Sequence, residues 1–236
     1  VYTEPVAGSL SLSENRKALA QVITPHVKDA RMVGFPAIFG IKGSVEIYRD
    51  LQEMIGVPIF EIPTMPPSIT GLRIKEAFES QLSKKAVRLL LQKKVLNVQH
   101  NKDGFILSIG GSDIEYTVKA KGIILASGRF LGRGLHADRK KIRESIFNLP
   151  VFQAGERKKW HSQNFLDPKG HLINMAGLEI DNMFHPLDIA GKPAFKALFA
   201  AGSILAHQDW MRMKCGAGLA IATAYAAVAS YLGRPV

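Results

Sequence analysis

Three glycine-bearing segments and a few histidines and arginines are the parts of this sequence whose residue types could do chemistry. Gly122-Ile-Ile-Leu-Ala-Ser-Gly128 runs an apolar stretch into a turn of small residues. Such residues let a ligand approach the backbone closely, so Ala126, Ser127 and Gly128 are candidate binding positions. Leu198-Phe-Ala-Ala-Gly-Ser203 repeats the pattern. There the Gly202 amide can lie against a phosphate group, and the Ser203 hydroxyl can hydrogen-bond to a ligand hydroxyl. Cys215-Gly-Ala-Gly218 opens a long apolar stretch that reads as helix. The first N–H groups of a helix lack internal partners and, with the helix dipole, favour negative charge. Gly216, Ala217 and Gly218 are therefore candidates to face an anion. Each segment taken singly has a structural alternative: a plain strand end, a turn, or a close-packed Gly/Ala helix.

Histidine is the natural proton carrier at neutral pH. His185 and His207 lie nearest in sequence to the glycine turns and are the candidate catalytic bases; His136 and His161 sit in basic loops and take no role. For each candidate, a hydrogen-bonded loop histidine is the competing reading. A phosphate-bearing substrate favours arginine, whose planar fork matches phosphate oxygens. Arg73 follows a proline-rich turn, Arg129 follows the Ala-Ser-Gly turn, and Arg212 precedes the Gly-rich helix. For Arg73 a solvent-facing helix position fits equally well. Cys215 beside a helix start is open to a lowered thiol pKa or to simple burial, and takes no redox role. As the only cysteine, it rules out an intrachain disulfide and a multi-cysteine metal site, and no metal is assigned. It also points to a reducing compartment.

The chain has 236 residues, enough for one large domain or two small ones, and 47% of them are hydrophobic, enough for a packed core. Its formal charge is +11. Arg73–Lys102 holds eight Lys/Arg against two Glu, and Arg129–Lys159 holds nine against Asp138, Glu144 and Glu156. Such faces attract phosphates, nucleic acid or anionic membrane, or are simply solvated. Without zinc-finger spacing or an aromatic-interleaved RNA motif, nucleic acid is not expected as a partner. Val1–Leu12 lacks a signal-peptide layout. The uncharged 18-residue tail Cys215–Leu232 is rich in Ala and Gly, and reads as a buried helix rather than a membrane span.

The elements that must position these residues follow from periodicity and turn residues. Helices are expected over Ser13–Val27 and Ser44–Ile55, the second ended by Gly56, with strands over Arg31–Phe35 and Val57–Ile62. This alternation suggests a parallel α/β unit. Pro63-Thr-Met-Pro-Pro-Ser68 is a rigid linker before a helix over Thr70–Lys84. Val87–Gln99, Phe105–Ile109, Ile114–Val118 and Gly122–Leu125 read as a β-meander of three or four strands. A less regular, charged stretch covers Lys119–Lys169, Asn174–Pro186 reads as loop and short strand, Ala197–Ala201 as a strand, and Gly216–Leu232 as the terminal helix.

The order of the three glycine segments resembles the carboxy-terminal half of flavoproteins related to fumarate reductase and succinate dehydrogenase. Ala126-Ser127-Gly128 stands where that class has Ala-Thr-Gly, and Leu198–Ser203 where it has a strand ending Ala-Ala-Gly-Glu, with Ser203 in place of the acid. A closer resemblance is to the family of B-type subunits of anaerobic glycerol-3-phosphate dehydrogenases. It rests on Pro63–Ile74, Ala126–Phe130, Gly132–Glu144 with its Ile142-Arg143-Glu144, and Cys215–Gly218, and runs from about Arg31 to Leu232.

The resemblance implies an α/β fold: an incomplete FAD-binding domain with a β-meander, plus a second α/β substrate or cap region. Residues 71–128 and 187–236 would form the carboxy-terminal part of the FAD-binding domain, and residues 1–70 and 129–186 the substrate or cap region. It implies flavin as cofactor, FAD with FMN as the alternative, bound by the Ala126–Gly128 turn, by Gly202–Ser203 along the ribityl chain and by Gly216–Gly218 at the ring. It further implies oxidation of glycerol 3-phosphate to dihydroxyacetone phosphate with electrons passed toward quinone. The partners implied are a catalytic flavoprotein subunit and an iron–sulfur subunit, in the cytoplasm or peripherally at the inner face of the cell membrane. The family's Gly-x-Gly-x-x-Gly turn for the adenosine diphosphate has no counterpart here; Gly128–Gly134 has the wrong spacing. With Val1 rather than Met first, the chain is expected to be a fragment, and whether such a fragment retains flavin is left open.

Overall fold

Two helices at the amino end, α1 (Thr3–Ser9) and α2 (Ser13–Ile23), are joined by a tight turn. They are seen in a computed structural model of the chain that describes residues 2–65 and 67–235. Helix α2 is shorter than its periodicity predicts. Pro25 has no N–H to donate, so the chain tightens into a 3-10 turn at Thr24–His26. Then come strand β1 (Val33–Pro36), helix α3 (Ser44–Ile55), strand β2 (Ile59–Ile62) and helix α4 (Ile69–Leu82). Strands β1 and β2 pair in parallel, Val33 with Ile59 through Pro36 with Ile62. Both start two residues later than predicted, β2 immediately after Pro58.

Helix α3 has the predicted bounds, and Gly56 ends it at φ 80°, a conformation that costs glycine little. Its Ile47, Leu51 and Ile55 lie one turn apart and are buried with Phe35, Phe39 and Ile59. Arg16 of α2 is buried too. It bonds the carbonyls of Leu10 and Ser11 at 3.0 Å each and pairs with Asp50 of α3 at 2.8 Å. Ser68 caps α4 by accepting from the Gly71 amide at 3.2 Å. Pro66 of the predicted linker lies outside the described residues.

The chain divides into two compact units, Val1–Leu90, which holds the elements above, and Leu91–Val236. The second begins with an antiparallel meander, β3 (Lys94–Asn101), β4 (Gly104–Gly110) and β5 (Ile114–Ala120). The predicted strand from Val87 starts only at Lys94, after Gln92 takes a left-handed φ of 59°. The meander therefore has three strands. The fourth candidate, β6 (Ile123–Leu125), leaves it and pairs in parallel with β9 (Leu198–Ala200). Between them, the stretch predicted to be irregular contains a small hairpin of β7 (Leu135–Ala137) and β8 (Ile142–Glu144). The buried Glu144 carboxylate accepts from the amides of Ile146 at 2.8 Å and Phe147 at 2.7 Å, which fixes the loop after the hairpin.

Phe105, Leu135, Ile142, Trp160, Leu178 and Leu198 belong to the core of this unit. Gly177 permits one of its closest crossings: a Cβ there would stand 2.4 Å from the Ile204 carbonyl oxygen. A short helix α5 (Trp210–Met213) leads into α6 (Gly216–Tyr231). Helix α6 is buried on one face only. Ala227 packs with Phe199 and Ala201, whereas Ile221 and Tyr225 are 70% and 75% exposed. Small alanines and the Tyr231 ring supply the packing face, and Ile221 and Tyr225 stand on the other. Among the described residues, no helix is long and apolar enough to cross a membrane.

Candidate functional site

Parallel pairing of β6 with β9 sets two of the glycine turns side by side. The Ala201 amide donates to the Leu125 carbonyl at 3.1 Å, and both turns then open through left-handed glycines, Gly128 at φ 69° and Gly202 at φ 77°. A Cβ on Gly128 would lie 3.5 Å from the Ser203 hydroxyl. The helix that the third segment opens is tied to this turn by Thr223, five residues beyond Gly218, whose hydroxyl accepts from the Gly202 amide at 2.8 Å and donates to the Leu219 carbonyl at 2.6 Å. The Gly202 amide is thus occupied within the protein. What remains open at this turn is the Cα face of Gly202, with nothing within 4 Å of a Cβ there; the Ser203 hydroxyl is half-buried beside Gly128 and has no hydrogen-bond partner among the described residues.

Ser127 is turned inward. Its hydroxyl is buried without a partner among the described residues, against Gly134, where a Cβ would be 2.5 Å away. Ala126 is exposed next to it. At the start of α6, Gly218 faces open space, Ala217 is exposed, and Gly216 lies under the Trp210 ring, 3.2 Å from where its Cβ would be. The open backbone at Gly202 and Gly218 and the unpartnered amides of the first turn of a 16-residue helix suit a ligand with a polyol chain and a ring that gains negative charge.

A cleft of about 490 Å³ runs beside this arrangement. Phe184, Leu187, Leu205 and Leu219 give it apolar walls, and Glu179, His207, Gln208 and Thr223 supply polar groups. Thr223 therefore serves both the Gly202 turn and the cleft. Gly128, Gly202, Ser203, Gly216 and Gly218 do not line it, and the Gly202 turn meets it only through Thr223.

The two candidate histidines differ in setting. His207 lines the cleft, half exposed, in a left-handed conformation at φ 64°. Its Nε2 lies 2.8 Å from a Glu179 carboxylate oxygen, and its ring stacks on Phe152 with centroids 4.0 Å apart. A carboxylate on Nε2 leaves Nδ1 as the nitrogen that can accept a proton. His185 is tied to Asp181 twice, ring Nδ1 to carboxylate at 2.9 Å and backbone amide to carboxylate at 2.8 Å, and packs on Phe199. Burial pushes the Asp181 carboxyl up, but the bonds from His185 and the Met183 amide outweigh it and hold the group below the usual carboxylate range. His185 is not part of the cleft lining.

The arginines separate as well. Arg73 belongs to the first unit, where it donates from Nε to the Gly40 carbonyl at 2.7 Å and through both terminal nitrogens to Glu61, at 2.5 and 2.8 Å. Arg129 is buried and donates to three backbone carbonyls: Asn174, Leu205 at 2.9 Å and Gln208 at 2.8 Å. Burial lowers its pKa, and the nearby Asp209 partly offsets that. A phosphate role for either would require these internal partners to be released. Arg212 is exposed, and no partner for its guanidinium is found among the described residues.

Thr223 and Glu179 are the site residues that sequence reasoning passed over. Thr223 had one signal, as the lone threonine in an alanine-rich helix. Glu179 had none, being 28 positions from the histidine it meets.

The family model described as FAD binding domain matches residues 6–219. Among curated proteins, the B-type subunit of anaerobic glycerol-3-phosphate dehydrogenase from Vibrio vulnificus is 31% identical over 229 residues, 97% of this chain and 52% of the relative. The protein of the same name from Yersinia pestis is 31% identical over 221 residues, 93% of this chain and 50% of the relative. A probable B-type subunit of anaerobic glycerol-3-phosphate dehydrogenase from Halobacterium salinarum is 29% identical over 220 residues, 90% of this chain and 49% of the relative. The chain spans about half the length of these curated relatives. The two glycine turns on paired parallel strands, the second bonded to the middle of an apolar helix, are thus the framework of a chain that belongs to the FAD binding domain family.

Proposed function

We propose that this chain contributes flavin-contacting segments to an oxidoreductase of the glycerol-3-phosphate dehydrogenase type. That enzyme oxidises glycerol 3-phosphate to dihydroxyacetone phosphate and passes electrons toward quinone, beside a catalytic flavoprotein subunit and an iron–sulfur subunit. The observation that carries the reading is the Gly202–Thr223 hydrogen bond, which locks the second glycine turn to α6 while leaving Gly202 and Gly218 open and the Ser203 hydroxyl without a partner among the described residues. Bound FAD, with FMN as the alternative, supplies a two-electron acceptor.

The chain's own residues then have distinct tasks. Ser203 offers its hydroxyl to the ribityl chain, and Ala126 and Gly128 form the adjoining turn with Ser127 packed beneath it. The free amides at Gly216, Ala217 and Gly218 favour negative charge on the ring. His207 takes the substrate hydroxyl proton at Nδ1 while Glu179 holds Nε2–H. Arg212 holds the substrate phosphate. In this reading residues 71–128 and 187–236 make the cofactor side and residues 1–70 and 129–186 the substrate side, and the complex works in the cytoplasm, peripherally at the inner face of the cell membrane.

The internal pairing of Arg73 and Arg129 favours a second reading, in which this subunit relays electrons or supports assembly and another subunit oxidises the substrate. The visible absorption spectrum of the full-length protein tests the shared part, and flavin peaks are expected. Their absence after gentle purification favours a scaffold module whose basic faces dock an anionic partner. With an artificial acceptor, oxidation of glycerol 3-phosphate rather than a panel of hydroxy acids distinguishes the proposed enzyme from another dehydrogenase of the fumarate reductase class.

A further inference from the structure

We infer that the loop from Ser162 to Gly170 is a membrane-docking device that inserts Phe165 and Leu166 into an anionic lipid surface. The loop is closed at its neck. The Ser162 amide donates to His171 Nδ1 at 3.0 Å, which places the ring proton on Nε2, and Nε2 in turn lies 2.9 Å from the Phe165 carbonyl. The Ser162 hydroxyl donates to the Gly170 carbonyl at 2.9 Å, and the amides of Asp167 and Gly170 donate to the carbonyls of Asn164 and Asp167. Trp160, 3% exposed, anchors the incoming strand of the neck.

This ordered loop nevertheless holds Phe165 and Leu166 at 88% and 86% exposure, side by side at its tip. Hydrogen bonds fix the backbone, while the two largest apolar side chains of the loop point into water, an arrangement that favours burial in another phase.

The surroundings specify that phase. A Cβ on Gly170 would stand 2.9 Å from the Arg212 side chain, so the end of the loop abuts α5. Helix α5 exposes Met211 and Met213 at 55% and 65%, and the exposed Lys214 follows them. Lys169 closes the loop and is exposed, and Lys158 and Lys159 precede it, sharing Glu156. Asp167 accepts from the Lys169 amide at 2.8 Å and Asp209 from the Arg212 amide at 3.2 Å, and with Glu156 these acids are fewer than the basic residues around the loop, so the collar stays net positive. An apolar tip with a basic collar complements the headgroup layer of an anionic bilayer. The inference deepens the membrane placement in the proposal above by naming the surface that makes it, and does not depend on flavin.

Liposome flotation of the full-length protein tests it, with vesicles of phosphatidylcholine alone and of phosphatidylcholine mixed with phosphatidylglycerol. Binding is expected to the mixed vesicles and to weaken with salt. The double substitution Phe165→Ser and Leu166→Ser should lower the affinity by about tenfold or more, and Lys169→Glu by about fivefold. Flavin content should stay unchanged in both, so a failed flavin reading and a failed docking reading give different results. Separately, Phe165→Trp should shift its emission to the blue on adding the mixed vesicles. No binding by the unaltered protein, undiminished binding by the double variant, or release of a protein subunit by that variant with vesicle binding intact would each overturn the inference.

Discussion

Replacing Arg129 by Met distinguishes a structural from a substrate-binding arginine. Methionine keeps the length of the side chain and removes the charge and every donor. The guanidinium now bonds the carbonyls of Asn174, Leu205 and Gln208. Of these, Leu205 keeps a second donor, Gln208 Nε2 at 2.8 Å, so the substitution leaves two carbonyls without their bond. Both of those carbonyls are only partly buried, so each loss falls toward the lower end of the ~1–3 kcal/mol that an unsatisfied buried acceptor costs. Against that loss, removing a buried cation relieves its desolvation, which already pulls the Arg129 pKa down. The balance is a destabilisation of about 1–2 kcal/mol, within the usual range for one substitution. The assay is urea unfolding followed by circular dichroism, where the midpoint should fall with the slope unchanged. Arg129→Lys, with one compact ammonium, restores at most part of the loss. An unchanged midpoint combined with a raised KM for a phosphorylated substrate would refute the structural assignment and make Arg129 a substrate ligand.

Gly218→Asp should abolish flavin retention with the far-ultraviolet spectrum intact, because a Cβ there meets nothing within 4 Å and the added charge opposes the helix-end field; Gly218→Ala should retain flavin, and equal flavin content in both would remove the helix end from the site. Gly177→Ala should destabilise by about 3 kcal/mol or more, since the new methyl would press on backbone atoms at Ile204 and Leu205 only 2.4–2.5 Å away, and a thermal midpoint within error of the parent would contradict that packing. Glu61→Gln tests the acid side: burial raises the Glu61 carboxyl, but its bonds from Arg73 and the Phe39 amide pull it to a net value below its ordinary one. The stability it contributes is therefore full above the ordinary carboxylate pKa, about pH 4, and is lost as pH falls through the lower folded value. The variant should be less stable at neutral pH and show a flatter acid limb, and parallel pH–stability curves for the two proteins would count against the pair.

What was legible in the sequence was mostly local. The bounds of α3 followed from a helical period ended by Gly56, and the meander from its turn residues, Asn101–Gly104 and Gly110–Ser112. Where a nearby residue withheld or redirected a hydrogen bond, the boundary moved: Pro25 shortened α2 and the left-handed Gln92 delayed β3. Pairings between distant residues were not legible. Gly122–Leu125 has the same apolar character whether it continues a meander or pairs with a strand more than seventy positions on, and only the fold decides for β9. The fates of Arg73 and Arg129 were hidden for the same reason, since their partners are a carboxylate and carbonyls 12 to 79 positions away.

The glycine segments show what spacing conveys about a candidate site and what it conceals. In sequence each reads as an amide waiting for a ligand, yet the Gly202 amide is taken by Thr223. That loss has a structural use. The turn is held on either side by backbone bonds, Ala201 to Leu125 and Leu205 to Gly202, and the bond to a helix residue that itself bonds Leu219 adds a tie to α6. Preorganisation of this kind places the Ser203 hydroxyl and the open face of Gly202 before any ligand arrives, and lowers the ordering cost of binding. Thr223→Val keeps the shape of the side chain but removes the acceptor. It should therefore weaken flavin retention without touching any group that meets the flavin, and Thr223→Ser should restore it. Full retention in Thr223→Val would show that the turn holds its place without α6, and the coupling of turn to helix would then have no part in holding the flavin.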